Sequence, residues 1–155
     1  AEGFVINYLQ ERIPKLWCIG IDIDIEALLR GCSIHSKIQV QQASIYNIPY
    51  KSKSFDLVLC LETLEHLDYP KKALRELVRI SRKFCLFSVP NEPFFRIANF
   101  LRGKSLSRFG DDIGHIHHWR LVSFIKLLQD SGLLVQIVKK PFPWLVVLAQ
   151  LKNGS

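Results

Sequence analysis

Apolar runs of strand length alternate along this chain with segments of helical period, and that alternation constrains the fold more than any other feature. Residues 16–23 (LWCIGIDI), 55–61 (FDLVLCL) and 84–89 (FCLFSV) are apolar on both faces, as parallel strands are when helices cover both sides of their sheet. Between them, Phe4, Val5, Tyr8, Leu9 and Ile13 recur at helical spacing, giving a helix that opens at Gly3 and is stopped by Pro14. A short helix is predicted over 25–30, ending at Gly31, and residues 37–42 (KIQVQQ) alternate as a strand nearer a sheet edge does. Pro70 starts a helix that turns Ala73, Leu74, Leu77 and Val78 inward. Residues 91–119 are irregular apart from a short helix around 95–101, and Leu121, Phe124, Ile125 and Leu128 mark a last helix ended by Gly132. Two final strands, 133–139 and 144–151, are joined by Lys-Lys-Pro-Phe-Pro with no helix between, which demands an antiparallel pair. The expectation is α/β: one doubly wound, mostly parallel sheet with a C-terminal antiparallel hairpin, in a single domain over residues 1–155.

The 155 residues are 48% hydrophobic and 23% charged, which suits one compact soluble domain. No run of eighteen apolar residues and no secretory leader is present, so no membrane is expected and the predicted location is cytoplasmic. Cys18, Cys32, Cys60 and Cys85 form no C-x-x-C pair and lie mostly in apolar runs, so they read as reduced core thiols. Charge is uneven: residues 1–68 hold 6 Lys/Arg against 9 Asp/Glu, and residues 69–155 hold 15 against 5. The net +7 suits an anionic partner such as nucleic acid, although solubility explains it more simply. Lys71, Arg75, Arg79 and Arg82 would form a basic stripe on one helix, read as a solvated face. The absence of Met and the start at Ala1 imply residues upstream.

In a doubly wound sheet, ligands lie at the carboxyl ends of the strands. Asp22 ends a buried apolar run, where a carboxylate can accept from both hydroxyls of a ribose. Its rival role, capping the following helix, can be filled by Asp24. Gly3 opens a helix and would let a ligand approach exposed N–H groups.

The order A-E-G-F-V, G-I-D-I-D, then S-I-Y-N-I-P-Y-K-S-K-S-F-D-L-V-L-C-L-E-T-L-E-H-L, then V-P-N-E-P resembles the class I S-adenosylmethionine-dependent methyltransferases over nearly the whole chain. Pro49, Phe55-Asp56 and Leu64-Glu65-His66 keep that family's relative spacing. The resemblance implies S-adenosylmethionine as cofactor, with Asp22 on its ribose, Ile23 against its adenine, Ser44-Ile45 along the adenine edge, and Gly3 and Leu61 completing the site. Ser44 stands where the family usually has Asp. It also implies that the chain begins inside the family's glycine loop, so that the first strand is absent.

On the acceptor side, Glu62, Glu65 and His66 follow the strand over 55–61, and His66 can take a proton from a hydroxyl because its ordinary pKa is near 6.5. His66 and Glu65 are the candidate catalytic residues, with Glu62, His115 and Trp119 toward a small-molecule acceptor methylated at oxygen. His66 could instead cap the helix at Pro70. Glu62-x-x-Glu65-His66 with His115 is also similar to the metal pattern of small-RNA 2′-O-methyltransferases, although many family members with Leu-Glu-His need no metal, and none is assigned. The run N-E-P-F-F-R-I-A-N-F-L-R-G and the later G-H-I-H-H-W resemble a bacterial and archaeal subgroup of small-molecule methyltransferases, in which residues 91–119 would form a lid or substrate insertion. Two other functions compete: a non-catalytic binding module of the same fold, and a nicotinamide-dependent oxidoreductase, because an acidic residue ending the second strand also holds that cofactor's ribose. The lack of a Tyr-x-x-x-Lys pair weakens the oxidoreductase.

Overall fold

The computed structural model describes residues 2–91 and 116–152. The chain divides into two compact units, Ala1–Pro49 and Tyr50–Ser155.

In the first unit, α1 (Phe4–Arg12) is followed by β1 (Gly20–Asp22), α2 (Ile25–Ile34) and β2 (Val40–Gln42). β1 and β2 pair in parallel, with Gly20 opposite Val40 and Asp22 opposite Gln42. The strand expected over 16–23 is therefore shorter. Its ladder begins where the Gly20 N–H reaches Gln39 O at 2.9 Å and ends where the Ala43 N–H reaches Asp22 O at 3.0 Å, and Trp17 before it is 58% exposed. The helix expected to end at Gly31 runs on to Ile34, because Gly31 serves close packing and not termination: a Cβ there would sit 3.0 Å from the Glu2 backbone. Ala27, Leu28 and Ile38 are buried in this unit.

The second unit holds β3 (Phe55–Leu61), a 3-10 turn (Leu64–His66), α3 (Pro70–Ile80), β4 (Ser81–Pro90), α4 (Leu121–Asp130), β5 (Leu133–Lys139) and β6 (Trp144–Leu151). Four strands form one sheet in the order β3-β4-β6-β5, with β3 and β4 parallel and the other pairs antiparallel. The C-terminal hairpin is as expected, with Leu133 opposite Leu151 and Lys139 opposite Val146. Alternate residues of β6 (Leu145, Val147, Ala149, Leu151) are buried with Cys85, Phe87 and Val89 of β4 and Phe124 and Leu128 of α4, the period-2 and period-3.6 faces that make a sheet-on-helix core. Pro70 occupies the first turn of α3, and Ala73, Leu74, Leu77 and Ile80 are its buried face.

Three further expectations change. Among the described residues the ladders form two sheets, β1-β2 and β3-β4-β6-β5, and no strand pairs with the outer edge of β3. The basic stripe is interrupted: α3 ends at Ile80, so Arg82 lies on β4 and pairs with Asp56 at 2.7 Å, while Arg79 binds Glu76 at 2.8 Å and Tyr50 O at 2.7 Å. Cys60 and Cys85 are buried free thiols, with burial pushing them up to about 12 and about 11, which makes them poor nucleophiles. Cys32 is exposed, because α2 buries Ala27, Leu28 and Gly31 and turns Cys32 outward. The helix expected over 95–101 lies outside the described residues.

Candidate active site

In the first unit the parallel pair β1/β2 sets two chain segments side by side at its carboxyl end. Asp22 closes β1, and its Oδ1 accepts the Asp24 N–H at 3.0 Å. Asp24, not Asp22, caps α2: its Oδ1 accepts from Glu26 N–H at 2.9 Å and Ala27 N–H at 3.2 Å. Ile23, next along, is 69% exposed although it follows a strand, and its carbonyl accepts from the Gln42 side-chain amide at 3.0 Å. Beyond β2, Ser44 bridges Asn47, and the Ser44 hydroxyl oxygen accepts the Tyr46 N–H at 3.3 Å. Ser44 and Ile45 are half-buried. Asp22, Ile23, Ser44 and Ile45 thus follow the carboxyl ends of two paired strands. Gly3 is the N-cap of α1 at φ 74°, a left-handed conformation that favours glycine, and a Cβ there would also displace the Cδ1 end of Ile38.

In the second unit, Leu61 ends β3 and the chain then turns sharply. Glu62 adopts φ 48°, a left-handed conformation that non-glycine residues rarely adopt. Its N–H reaches Ser88 O at 3.1 Å and Ser88 Oγ at 3.2 Å, and the Ser88 hydroxyl donates to Glu62 Oε1 at 2.6 Å. The Trp144 side chain helps to hold the Glu62 carboxyl's pKa down. Burial raises the Glu62 carboxyl above its ordinary range, against the pull of Ser88, Trp144 and the nearby His66.

Glu65 is completely buried in the 3-10 turn. Neither of its carboxylate oxygens has a hydrogen-bond partner among the described residues. Burial pushes this carboxyl up to about 7; the Glu62 charge adds to the rise and His66 opposes it. The Glu65 carbonyl receives the Ile116 N–H at 2.8 Å and the His117 N–H at 3.1 Å, and His117 Nε2 lies 3.0 Å from Leu67 O. His117 stacks on Trp119 at 5.2 Å, and Trp119 leans on Phe124 at 5.5 Å. These contacts bind the start of α4 to the 3-10 turn. His66 is exposed. The N-cap residue of α3 is Tyr69, whose side chain makes no cap hydrogen bond. His115 lies outside the described residues.

The sequence reading missed Ser88 and Trp144, and it offered His117 only as lining the pocket or capping the helix after Trp119. Ser88 was visible as a hydroxyl inside the apolar run FCLFSV, and a buried hydroxyl needs a partner. Trp144 begins a strand antiparallel to β4, opposite Pro90, which brings it to the end of the sheet where Glu62 lies.

Residues 1–87 match the Methyltransferase domain family. This chain belongs to the class I S-adenosylmethionine-dependent methyltransferase family. Norajmaline N-methyltransferase of Rauvolfia serpentina is 30% identical over 70 residues, covering 41% of this chain and 24% of that protein. The chain spans about a quarter of the length of the curated relatives it matches. A solved complex between the Haloferax volcanii Trm112 methyltransferase activator and a methyltransferase contains a chain similar to this one, with TM-score 0.78, 14% identity, and 99% of this chain and 79% of that one covered. A SAM-dependent methyltransferase of Aquifex aeolicus superposes with TM-score 0.73 and 16% identity over 97% of this chain and 77% of that one. The methyltransferase fold is therefore shared at sequence identities that show the fold alone.

The residues present fit the family's methyl donor. A carboxylate at the end of β1 suits two vicinal hydroxyls. An isoleucine left 69% exposed beside it offers an apolar face to an adenine ring, and the Ser44 hydroxyl, whose oxygen already accepts Tyr46 N–H, keeps its hydrogen to donate to a ring nitrogen.

Proposed function

We propose that this chain transfers a methyl group from S-adenosylmethionine to a small-molecule acceptor, as one methyltransferase-like domain over residues 1–155 in a cytoplasmic setting, with 91–119 as its acceptor-side insertion. The observation that carries the reading is Asp22. It ends β1 as a carboxylate while Asp24 caps α2, and that arrangement supports a ligand-holding role for Asp22.

When bound, the cofactor supplies an electrophilic methyl on a sulfonium. Asp22 holds ribose hydroxyls, Ile23 and Ile45 pack on adenine, Ser44 meets its edge and Gly3 keeps the first turn of α1 open to approach; the family resemblance adds Leu61, the last residue of β3. In-line displacement needs the acceptor atom held against the methyl carbon, so much of the rate comes from positioning. His66, exposed after β3, is placed in the role of proton acceptor from the acceptor atom. Glu65 positions it, and Glu62 and Trp119 are assigned to the acceptor, together with His115 by the sequence resemblance.

The sequence reading names an oxygen as the methylated atom. A nitrogen is the second reading, favoured by the N-methyl transfer in the name of the Rauvolfia relative and by the two carboxyls at Glu62 and Glu65. Association with an activator protein, as in the Haloferax complex, is compatible with either. The test is production of S-adenosylhomocysteine from S-adenosylmethionine across a panel of small alcohols, phenols and amines. Acceptor-dependent product supports the reading, and a binder of S-adenosylmethionine that turns over none of them is the non-catalytic module instead.

A further inference from the structure

The turn between β5 and β6 presents apolar and basic groups together. Residues 137–148 read IVKKPFPWLVVL, in which Lys139 and Lys140 are the charged residues and no Asp, Glu, Asn, Gln, Ser, Thr or Arg occurs. Along β6, Leu145 and Val147 enter the core, so Trp144 takes the other face and stays 38% exposed. Ile137 stands opposite Leu148 and Lys139 opposite Val146, which puts both on that same face. Ile137 is 48% exposed, and Phe142, between two prolines in the turn, is 65% exposed.

The backbone on either side of Phe142 is fixed. The Trp144 N–H donates to Pro141 O at 2.6 Å, and the Asn91 N–H, just after β4, donates to Pro143 O at 2.9 Å. Pro143 is buried, while Pro141 and Phe142 are turned outward. Neither lysine has an ion-pair partner among the described residues, and residues 131–155 hold no Asp or Glu. The carboxylate of Glu62, at the same end of the sheet, is drawn onto the Ser88 hydroxyl at 2.6 Å.

Exposed aromatic rings beside lysines suit the boundary of a bilayer. The rings lie at headgroup level, and the lysine stems follow apolar surface while their ammonium groups reach the phosphates. A protein or nucleic-acid partner would be met by hydrogen-bonding side chains around the contact, and residues 137–148 supply almost none. Among the described residues no helix is long and apolar enough to cross a membrane, and contact with the surface needs none.

We propose that the β5–β6 turn docks this protein on an anionic bilayer surface, with Phe142 and Trp144 entering the headgroup boundary and Lys139 and Lys140 meeting the lipid anions. Trp144 stands opposite Pro90, the last residue of β4, so docking turns that end of the four-stranded sheet toward the lipid. The docking does not depend on methyl transfer.

The test is sedimentation of the whole protein with vesicles of phosphatidylcholine alone or containing about one-third phosphatidylserine. Binding is expected to the anionic vesicles and not to the neutral ones, and added salt should weaken it. Lys139→Gln with Lys140→Gln should weaken it about thirtyfold, because about 1 kcal/mol for each lysine is about fivefold apiece. Phe142→Ser should weaken it about tenfold with an unchanged melting temperature. Lipids with brominated acyl chains should quench tryptophan fluorescence in the parent, and Trp144→Phe should remove that quenching. Lys71→Gln with Arg75→Gln takes the same charge from exposed positions of α3 and should leave binding as it was. Equal binding to both vesicles, binding to neither, an equal loss in the α3 variant, or retention on single-stranded RNA in place of vesicles would overturn the proposal.

Discussion

The Ser88 hydroxyl donates to Glu62 Oε1 at 2.6 Å, while the Glu62 N–H reaches Ser88 O at 3.1 Å. This reciprocal link joins the ends of the parallel neighbours β3 and β4 and determines how the chain leaves the sheet. Ser88→Ala removes the side-chain part and keeps the backbone part. It should lower stability by about 0.5–1.5 kcal/mol, read from urea denaturation at pH 7, and a variant as stable as the parent would show that the side-chain bond does not hold the turn.

Glu65 gives the protein a pH-dependent stability. Its carboxyl is raised to about 7 in the folded state, against about 4.3 for an unperturbed Glu in the unfolded chain. Between those values the folded state holds more protons than the unfolded one, so stability should fall as pH rises from about 4.5 to about 7 and level off above. Glu65→Gln keeps the shape and removes the titration. Melting temperatures across pH 5 to 8 should fall for the parent and be flatter for Glu65→Gln, and identical slopes would remove Glu65 as the cause.

His66 is exposed, so its loss should cost the fold little. His66→Ala is expected to lower turnover about 10²-fold or more, within the range general bases contribute, with unchanged S-adenosylmethionine affinity and melting temperature. A fall in all three together would mean that the histidine holds structure after all.

Much of the second unit was legible because its elements bury one complete face each. Phe55–Leu61, Leu133–Lys139 and Trp144–Leu151 match their expected strands, and α3 starts at the expected Pro70. The first unit was less legible. Residues 16–19 are apolar yet belong to no strand, because ladder partners exist only from Gly20 onward, and Gly31 looks like a helix stop although its role is to admit the Glu2 backbone. At the candidate site, Asp22, Glu62 and Glu65 stood out as carboxylates ending or following apolar strands. Their partners did not, since Ser88 lies 26 residues beyond Glu62 and Trp144 reaches it only through antiparallel pairing.

Gly3→Ala tests the packing of α1 apart from any ligand. The residue has φ 74°, and the new methyl would meet Ile38. The loss should be about 1–3 kcal/mol, measured by thermal or urea unfolding. An unchanged midpoint would mean that the start of α1 adjusts freely.

The account stands most directly on the ligand at Asp22. Isothermal titration of the protein with S-adenosylmethionine and, separately, with NAD measures it. The expected result is saturable one-to-one binding of S-adenosylmethionine, no comparable binding of NAD, and a loss of about 1–3 kcal/mol of S-adenosylmethionine affinity in Asp22→Ala, as removal of a charged hydrogen-bond acceptor gives. Preference for NAD, or S-adenosylmethionine affinity that Asp22→Ala leaves unchanged, would contradict it.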